Sequence, residues 1–112
     1  MTTRTYTPIL IESIKTTVDL QQHRFAGFDG DYCAAGAKAL GVVDVSTAKG
    51  EYAPVAVLGM LLVEAGGTIA VGDAVASDAE GKAVKVADSA LANGYAIDAG
   101  TTGQEIRIIR GI

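Results

Sequence analysis

The sequence predicts a small all-β domain in which short strands form a β-barrel-like fold. Fourteen glycines recur along 112 residues and separate short runs rich in Val and Ile, as tight turns separate strands. In "QEIRIIRG", Ile106 and Ile108 alternate with Arg107, which is the pattern of a half-buried strand, and "GKAVKVAD" also alternates. No long segment keeps the period of a helix.

Four strands are predicted in the first part of the chain, each an apolar run bounded by turn residues. They are Pro8–Val18, Arg24–Phe28, Leu40–Val45 and Pro54–Glu64. The last contains "VAVLGMLLVEA", which is apolar on both faces, as expected for a central strand pair in a barrel or for a strand covered by another subunit. Before the third strand, "AAGAKALG" favours a single helical turn, which its glycines keep short.

Four shorter strands follow, separated by glycines and acidic residues that are typical of hairpin tips. They are predicted at Ala74–Ser77, Lys82–Val86, Gly94–Asp98 and Glu105–Arg110. The chain therefore divides into an extended N-terminal arm, residues 1–8, which is polar and Thr-rich, and a β-barrel-like domain, residues 9–112.

Charge and composition argue against several classes of function. The net charge is −4 and nine basic residues are scattered without a basic stripe, so nucleic acid is not an expected partner. Aromatic residues make up 5% of the chain and Trp is absent, which leaves few platforms for stacking bases. The longest apolar region falls short of the ~20 residues that cross a bilayer, and the start of the chain lacks a signal-peptide core. We expect no membrane partner.

The single cysteine, Cys33, cannot form an internal disulfide, and this suits a reducing compartment such as the cytosol. Neither Cys33 nor the single histidine, His23, lies in a pattern that predicts nucleophilic catalysis, and together they cannot supply a closed zinc site. We therefore expect no enzymatic activity, no catalytic residues and no metal.

The stretch "GGTIAVGDAVASDAEGKAV", residues 66–84, invites three chemical interpretations. Its glycines match neither spacing of a phosphate-binding loop. Asp78 and Glu80, like Asp29 and Asp31 earlier in the chain, lack the alternating oxygen ligands of a calcium loop. We interpret these residues as turn chemistry and expect no cofactor.

Lys82 leaves one alternative open. Lipoyl and biotinyl domains carry their prosthetic group on a lysine at a hairpin tip, and "IAVGDAV" resembles a turn found in them. Here that turn precedes the lysine hairpin, whereas in those domains the lysine hairpin comes first. The alternative function is thus a carrier module modified on Lys82.

From residue 9 to residue 110, the chain resembles the phage capsid cement, or head decoration, family. The landmarks run in order: "HRFAGFDGDY", "AAGAKALGVVDVSTAKGE", "VAVLGMLLVEAGGTIAVGDAVASDAEGKAV" and "GYAIDAGTTGQEIRI". The resemblance implies a structural protein on the exterior of the virion that joins neighbouring major capsid subunits, commonly as a homotrimer, without catalytic residues or a cofactor.

The composition of the arm indicates which residues would contact the capsid. The polar "TRTYTP" and the apolar residues after it have reason to order against a partner. The predicted contact residues are Arg4, Thr5, Tyr6, Thr7, Pro8, Ile9 and Ile11.

Overall fold

The computed structural model describes residues 6–111, and every regular element in that range is a β-strand. The all-β prediction is confirmed, and each of the eight predicted strand regions overlaps a strand. The bounds are β1 Thr7–Lys15, β2 Phe25–Ala26, β3 Gly41–Val43, β4 Tyr52–Glu64, β5 Ala74–Ser77, β6 Ala83–Lys85, β7 Gly94–Ala96 and β8 Glu105–Arg110. No helix long and apolar enough to span a membrane lies within the described range.

Strand β4 is the longest strand and pairs along both of its edges. β1 runs antiparallel to it, from Thr7 opposite Met60 to Lys15 opposite Tyr52. On the other edge, β3 pairs with the first half of β4 and β8 pairs with the second half. Both edges of β4 are therefore occupied along most of its length.

The remaining strands extend the sheet in the order β2-β3-β4-β8-β7-β5-β6, with β1 beside β4 and off this path. Every pairing between these strands is antiparallel. The two ends approach each other, because the Phe25 N–H in β2 donates to the Gly81 carbonyl before β6, at 2.6 Å. This contact does not make a ladder, so the fold is barrel-like without being a closed barrel. β2 has two residues and β6 has three, which is too few for continuous pairing between the two ends of the sheet.

Both faces of β3 and β4 are buried within the chain. Val42 and Ala56 are cross-strand partners that belong to the larger core, which also contains Phe25. Val43 and Val55, the adjacent pair, belong to a second core. Consecutive residues of a strand point to opposite faces, so the two cores flank the sheet here. The two-faced apolar pattern marks a central strand, and this part of the pattern needs no covering subunit.

The predicted helical turn in "AAGAKALG" is wrong. The chain makes a turn there, closed by the Ala37 N–H donating to the Ala34 carbonyl at 3.0 Å. The Gly36 N–H instead donates to the Ser77 carbonyl at 2.9 Å, and the Ala39 N–H donates to the Asn93 side-chain oxygen at 2.9 Å. The Ala39 N–H is thereby withheld from a helical acceptor, so tertiary contacts override the local preference.

A β-bulge shapes the start of β1. Pro8 lies opposite Gly59 and Leu10 opposite Leu58, which leaves Ile9 as an extra residue without a partner on β4. Gly59 has φ +108°, and a Cβ there would come within 2.7 Å of the Thr7 carbonyl oxygen and 2.8 Å of the Ile9 nitrogen. The missing side chain at Gly59 therefore allows β1 to approach β4 at the bulge.

Replacing Gly59 with alanine is expected to displace the start of β1. The positive φ and the two backbone clashes should together lower the free energy of unfolding by about 2 kcal/mol, measured by urea denaturation. Hydrogen exchange should accelerate at the amides of β1. Gly67→Ala is the matched control, because no atom lies within 4 Å of a Cβ built there. Equal effects of the two substitutions would contradict this account of the bulge.

Candidate interaction surface

Strand β1 presents an unusual amount of free surface. None of its nine residues is fully buried, and its outer edge has no strand partner among residues 6–111. The N–H and C=O groups on such an edge are a template for an extended segment of another chain. β1 is therefore the part of the sheet best placed to be extended by another chain.

Three consecutive apolar side chains lie exposed in the first half of this strand. Ile9 is 79% exposed and Ile11 is 46% exposed, and Leu10 between them is also exposed. Ile14, later in the strand, packs instead against the second core. Contiguous exposed apolar residues on a small protein mark interaction sites more often than isolated ones do. Ile9, Leu10 and Ile11 are named the β1 apolar patch.

The start of β1 is tied to the body of the protein through Tyr6. Its hydroxyl donates to Asp44 Oδ1 at 2.7 Å, across 38 positions of sequence. Its ring meets the His23 ring edge-on, with centroids 6.1 Å apart and planes at 84°. The hydrogen bond to Asp44 and, to a lesser degree, burial raise the pKa of Tyr6 to about 12. Tyr6, Asp44 and His23 are named the Tyr6 latch.

The imidazole in this latch is itself held firmly. His23 is buried, has φ +65°, and places Nδ1 2.5 Å from Glu105 Oε2. Its Nε2 lies 3.1 Å from the Gln22 side-chain nitrogen. Both ring nitrogens contact neighbouring side chains, so His23 stabilises the fold beside the start of β1.

The predicted contact residues therefore fall into distinct environments. Ile9 and Ile11 lie together in the β1 apolar patch, whereas Tyr6 turns its hydroxyl toward Asp44. Thr7 and Pro8 are the first paired residues of β1, opposite Met60 and Gly59. Arg4 and Thr5 lie outside the described residues.

Cys33 has the environment of a structural thiol. Its side chain is buried and donates to the carbonyls of Ala34 and Ala37, both at 3.4 Å. Burial raises the pKa of the thiol, which disfavours the thiolate that nucleophilic catalysis requires.

The Lys82 hairpin is built as a turn. Asp78 Oδ1 accepts hydrogen bonds from the N–H groups of Glu80 and Lys82, each at 2.9 Å. Lys82 follows the tip, and its ammonium lies 3.8 Å from Glu64 and 3.9 Å from Glu80. A carrier lysine must swing freely from a hairpin tip, so this geometry does not favour a prosthetic group.

Within the described range, no three His, Cys, Asp or Glu side chains are grouped as metal ligands would be.

A second exposed apolar pair was not predicted. Tyr95 of β7 and Ile109 of β8 are cross-strand partners, 55% and 48% exposed. The sequence signal lies in "EIRIIR", where Ile109 falls on the same face as Arg107 and breaks the alternation. An isoleucine on the polar face of a strand is the clue that would have found this pair.

Tyr6→Phe is expected to weaken the Tyr6 latch while leaving the ring contact in place. Loss of one partly screened hydrogen bond should lower the free energy of unfolding by about 0.5–1 kcal/mol near neutral pH. The raised pKa stabilises the folded protein fully below pH 10, and this contribution is lost as the pH rises from 10 to about 12.

The difference in unfolding free energy between the native protein and Tyr6→Phe should therefore shrink over that pH range. Chemical denaturation at several pH values measures it. Tyr52→Phe is the control, since Tyr52 is exposed and its hydroxyl has no hydrogen bond within the described part of the chain. A difference that does not change with pH would rule out the bond to Asp44 as its source.

Known proteins resemble this chain in fold and in sequence family. The crystal structure of the N base of head fiber gp8.5 in bacteriophage phi29 matches with a TM-score of 0.76 and 23% sequence identity, covering 91% of this chain and 93% of that chain. This likeness shows a shared fold. No curated protein matches the chain. The model of the phage cement protein family matches residues 8–112. The chain therefore belongs to the phage cement protein family.

Proposed function

We propose that this protein binds the outside of the phage head and cements neighbouring major capsid subunits, using β1 and the arm before it as the contact. Membership of the phage cement family supports a structural role in the phage head rather than a catalytic one. The fold shared with a head fiber protein of phage phi29 is consistent with that place. The observation that carries the proposed contact is the free outer edge of β1 with its exposed apolar patch.

The proposed contact combines main-chain and side-chain recognition. An extended segment of a capsid subunit would add to the outer edge of β1 through main-chain hydrogen bonds, and Ile9 and Ile11 would enter apolar depressions in that subunit. The bulge at Ile9 and the Tyr6 latch would hold this edge in a fixed position, which reduces the entropy lost on binding. Arg4 and Thr5 would extend the same contact.

We further propose that the protein acts as a homotrimer on the exterior of the virion, after a period in the host cytoplasm before assembly. A domain of this size gains strength by repetition, because contacts joined in one oligomer act at high effective concentration. The net charge of −4 favours solubility before assembly. Local three-fold positions of a capsid lattice would match such an oligomer.

The head-binding experiment uses heads purified from phage that lack this protein. The native protein should bind them in a sedimentation assay and raise the temperature at which they release DNA. The double variant Ile9→Asp and Ile11→Asp should bind at least roughly thirtyfold more weakly, as expected for buried interface anchors.

Val71→Asp is the control for the head-binding experiment, because Val71 is an apolar residue 68% exposed on the loop between β4 and β5. It should bind heads as the native protein does. Heads that neither bind the native protein nor gain thermal stability from it would refute the proposed function. Normal binding by the double variant would refute β1 as the contact.

The trimer is tested separately by sedimentation equilibrium of the purified protein, alone and after release from heads. The expected mass is three times that of the chain in at least the released state. A monomer or dimer under both conditions would refute the homotrimer but would leave the proposed capsid contact unaffected.

A further inference from the structure

A small pocket lies at the end of β8, beside the exposed pair Tyr95 and Ile109. Its volume is about 180 Å³. The lining residues are Lys38, Ala92, Asn93, Gly94, Tyr95, Ile109, Arg110 and Gly111. We name it the Lys38 pocket.

Two basic residues line the Lys38 pocket, and neither has an acidic partner among residues 6–111. The Lys38 ammonium donates to the Ala92 carbonyl at 3.1 Å. Among residues 6–111, no carboxylate forms an ion pair with Lys38 or Arg110, whereas Arg24 pairs with Glu64 and Arg107 with Asp98. Within the described residues, the positive charge at the pocket is therefore not compensated by an ion pair.

Arg110 adds a second, buried positive charge beside Lys38. Its residue is only 3% exposed, and its guanidinium donates to the carbonyls of Leu40, Val57 and Ala39. Its Nε has no acceptor within the described part of the chain. Burial lowers the pKa of Arg110, the cost of keeping a cation out of water. An anion placed nearby would offset part of that cost.

The backbone around Lys38 is fixed before any partner arrives. The buried Asn93 side chain accepts a hydrogen bond from the Ala39 N–H at 2.9 Å and donates to the Ala37 carbonyl at 3.0 Å. These two residues flank Lys38 in sequence, so its Cα cannot move far. A preorganised cation favours binding because little ordering remains to be done.

The size and walls of the pocket restrict what it can hold. Small-molecule sites are commonly ~300–1,000 Å³, and this pocket is smaller. One wall is the exposed apolar pair Tyr95 and Ile109, which suits apolar neighbours of the bound group. A carboxylate carried on a short aliphatic stem fits both the volume and the charge.

We infer that the Lys38 pocket receives a glutamate or aspartate side chain that a partner protein presents between apolar residues. The overall charge of −4 opposes acidic partners, so the local positive charge would select where one can dock. That the partner is a subunit of the phage head rests on the proposed function, whereas the pocket's preference for a carboxylate does not.

The test uses two synthetic peptides, acetyl-Gly-Val-Glu-Val-Gly-amide and the same peptide with Gln in place of Glu. Each is titrated into the isotope-labelled protein while amide NMR spectra are recorded. The Glu peptide should cause saturable shifts at Lys38, Gly94 and Ile109, with an affinity at least about tenfold above that of the Gln peptide, as expected for a charge-assisted hydrogen bond.

Three variants make the titration specific. Lys38→Met should lose this preference for the Glu peptide, and Lys38→Arg should keep it. Lys85→Met is the matched control, because Lys85 is exposed and does not line the pocket, and it should bind as the native protein does. The native dispersion of each spectrum shows that the variant is folded.

Absence of saturable shifts, equal affinity for the two peptides, or an unchanged preference in Lys38→Met would each overturn the inference. None of these outcomes depends on phage heads. A failure of the head-binding experiment and a failure of this one are therefore distinguishable.

Discussion

The structure depends on one requirement, that β4 be paired on both edges and covered on both faces. Thirteen mostly apolar residues in one strand cannot remain in water, and their backbone groups need partners. β1 serves one edge, β3 and β8 share the other, and two cores cover the faces. The candidate interaction surface is a by-product of this arrangement. β1 forms backbone hydrogen bonds to β4 along one edge. Its other edge has no strand partner among residues 6–111.

The positions of the strands could be predicted from local signals, but their pairing could not. Runs of Val and Ile between turn residues mark each strand wherever it pairs. Closure of the sheet depends on the lengths of β2 and β6. Both strands are shorter than the sequence predicts. The failed helical turn in "AAGAKALG" has the same origin, since Asn93 lies 54 positions from the Ala39 N–H that it accepts.

The surroundings of the proposed contact residues follow from the sequence only in part, for physical reasons that differ between residues. Ile9 and Ile11 were identified because apolar residues beside a polar arm are a local anomaly, and both are exposed. The inward role of Tyr6 needs Asp44, which is remote in sequence and gives no local signal. Arg110 reads as the polar end of an alternating strand, yet it is buried among carbonyls that three-dimensional packing supplies.

The position of β4 in the strand order also governs when the protein can fold. β4 pairs with the first strand of the described chain and with the last, so its ladder is complete only after β8 has been synthesised and has left the ribosome. Pairings this distant in sequence form slowly, and until then the apolar faces of β4 are accessible to other nascent chains. The strand that organises the finished domain is therefore its main aggregation hazard during synthesis.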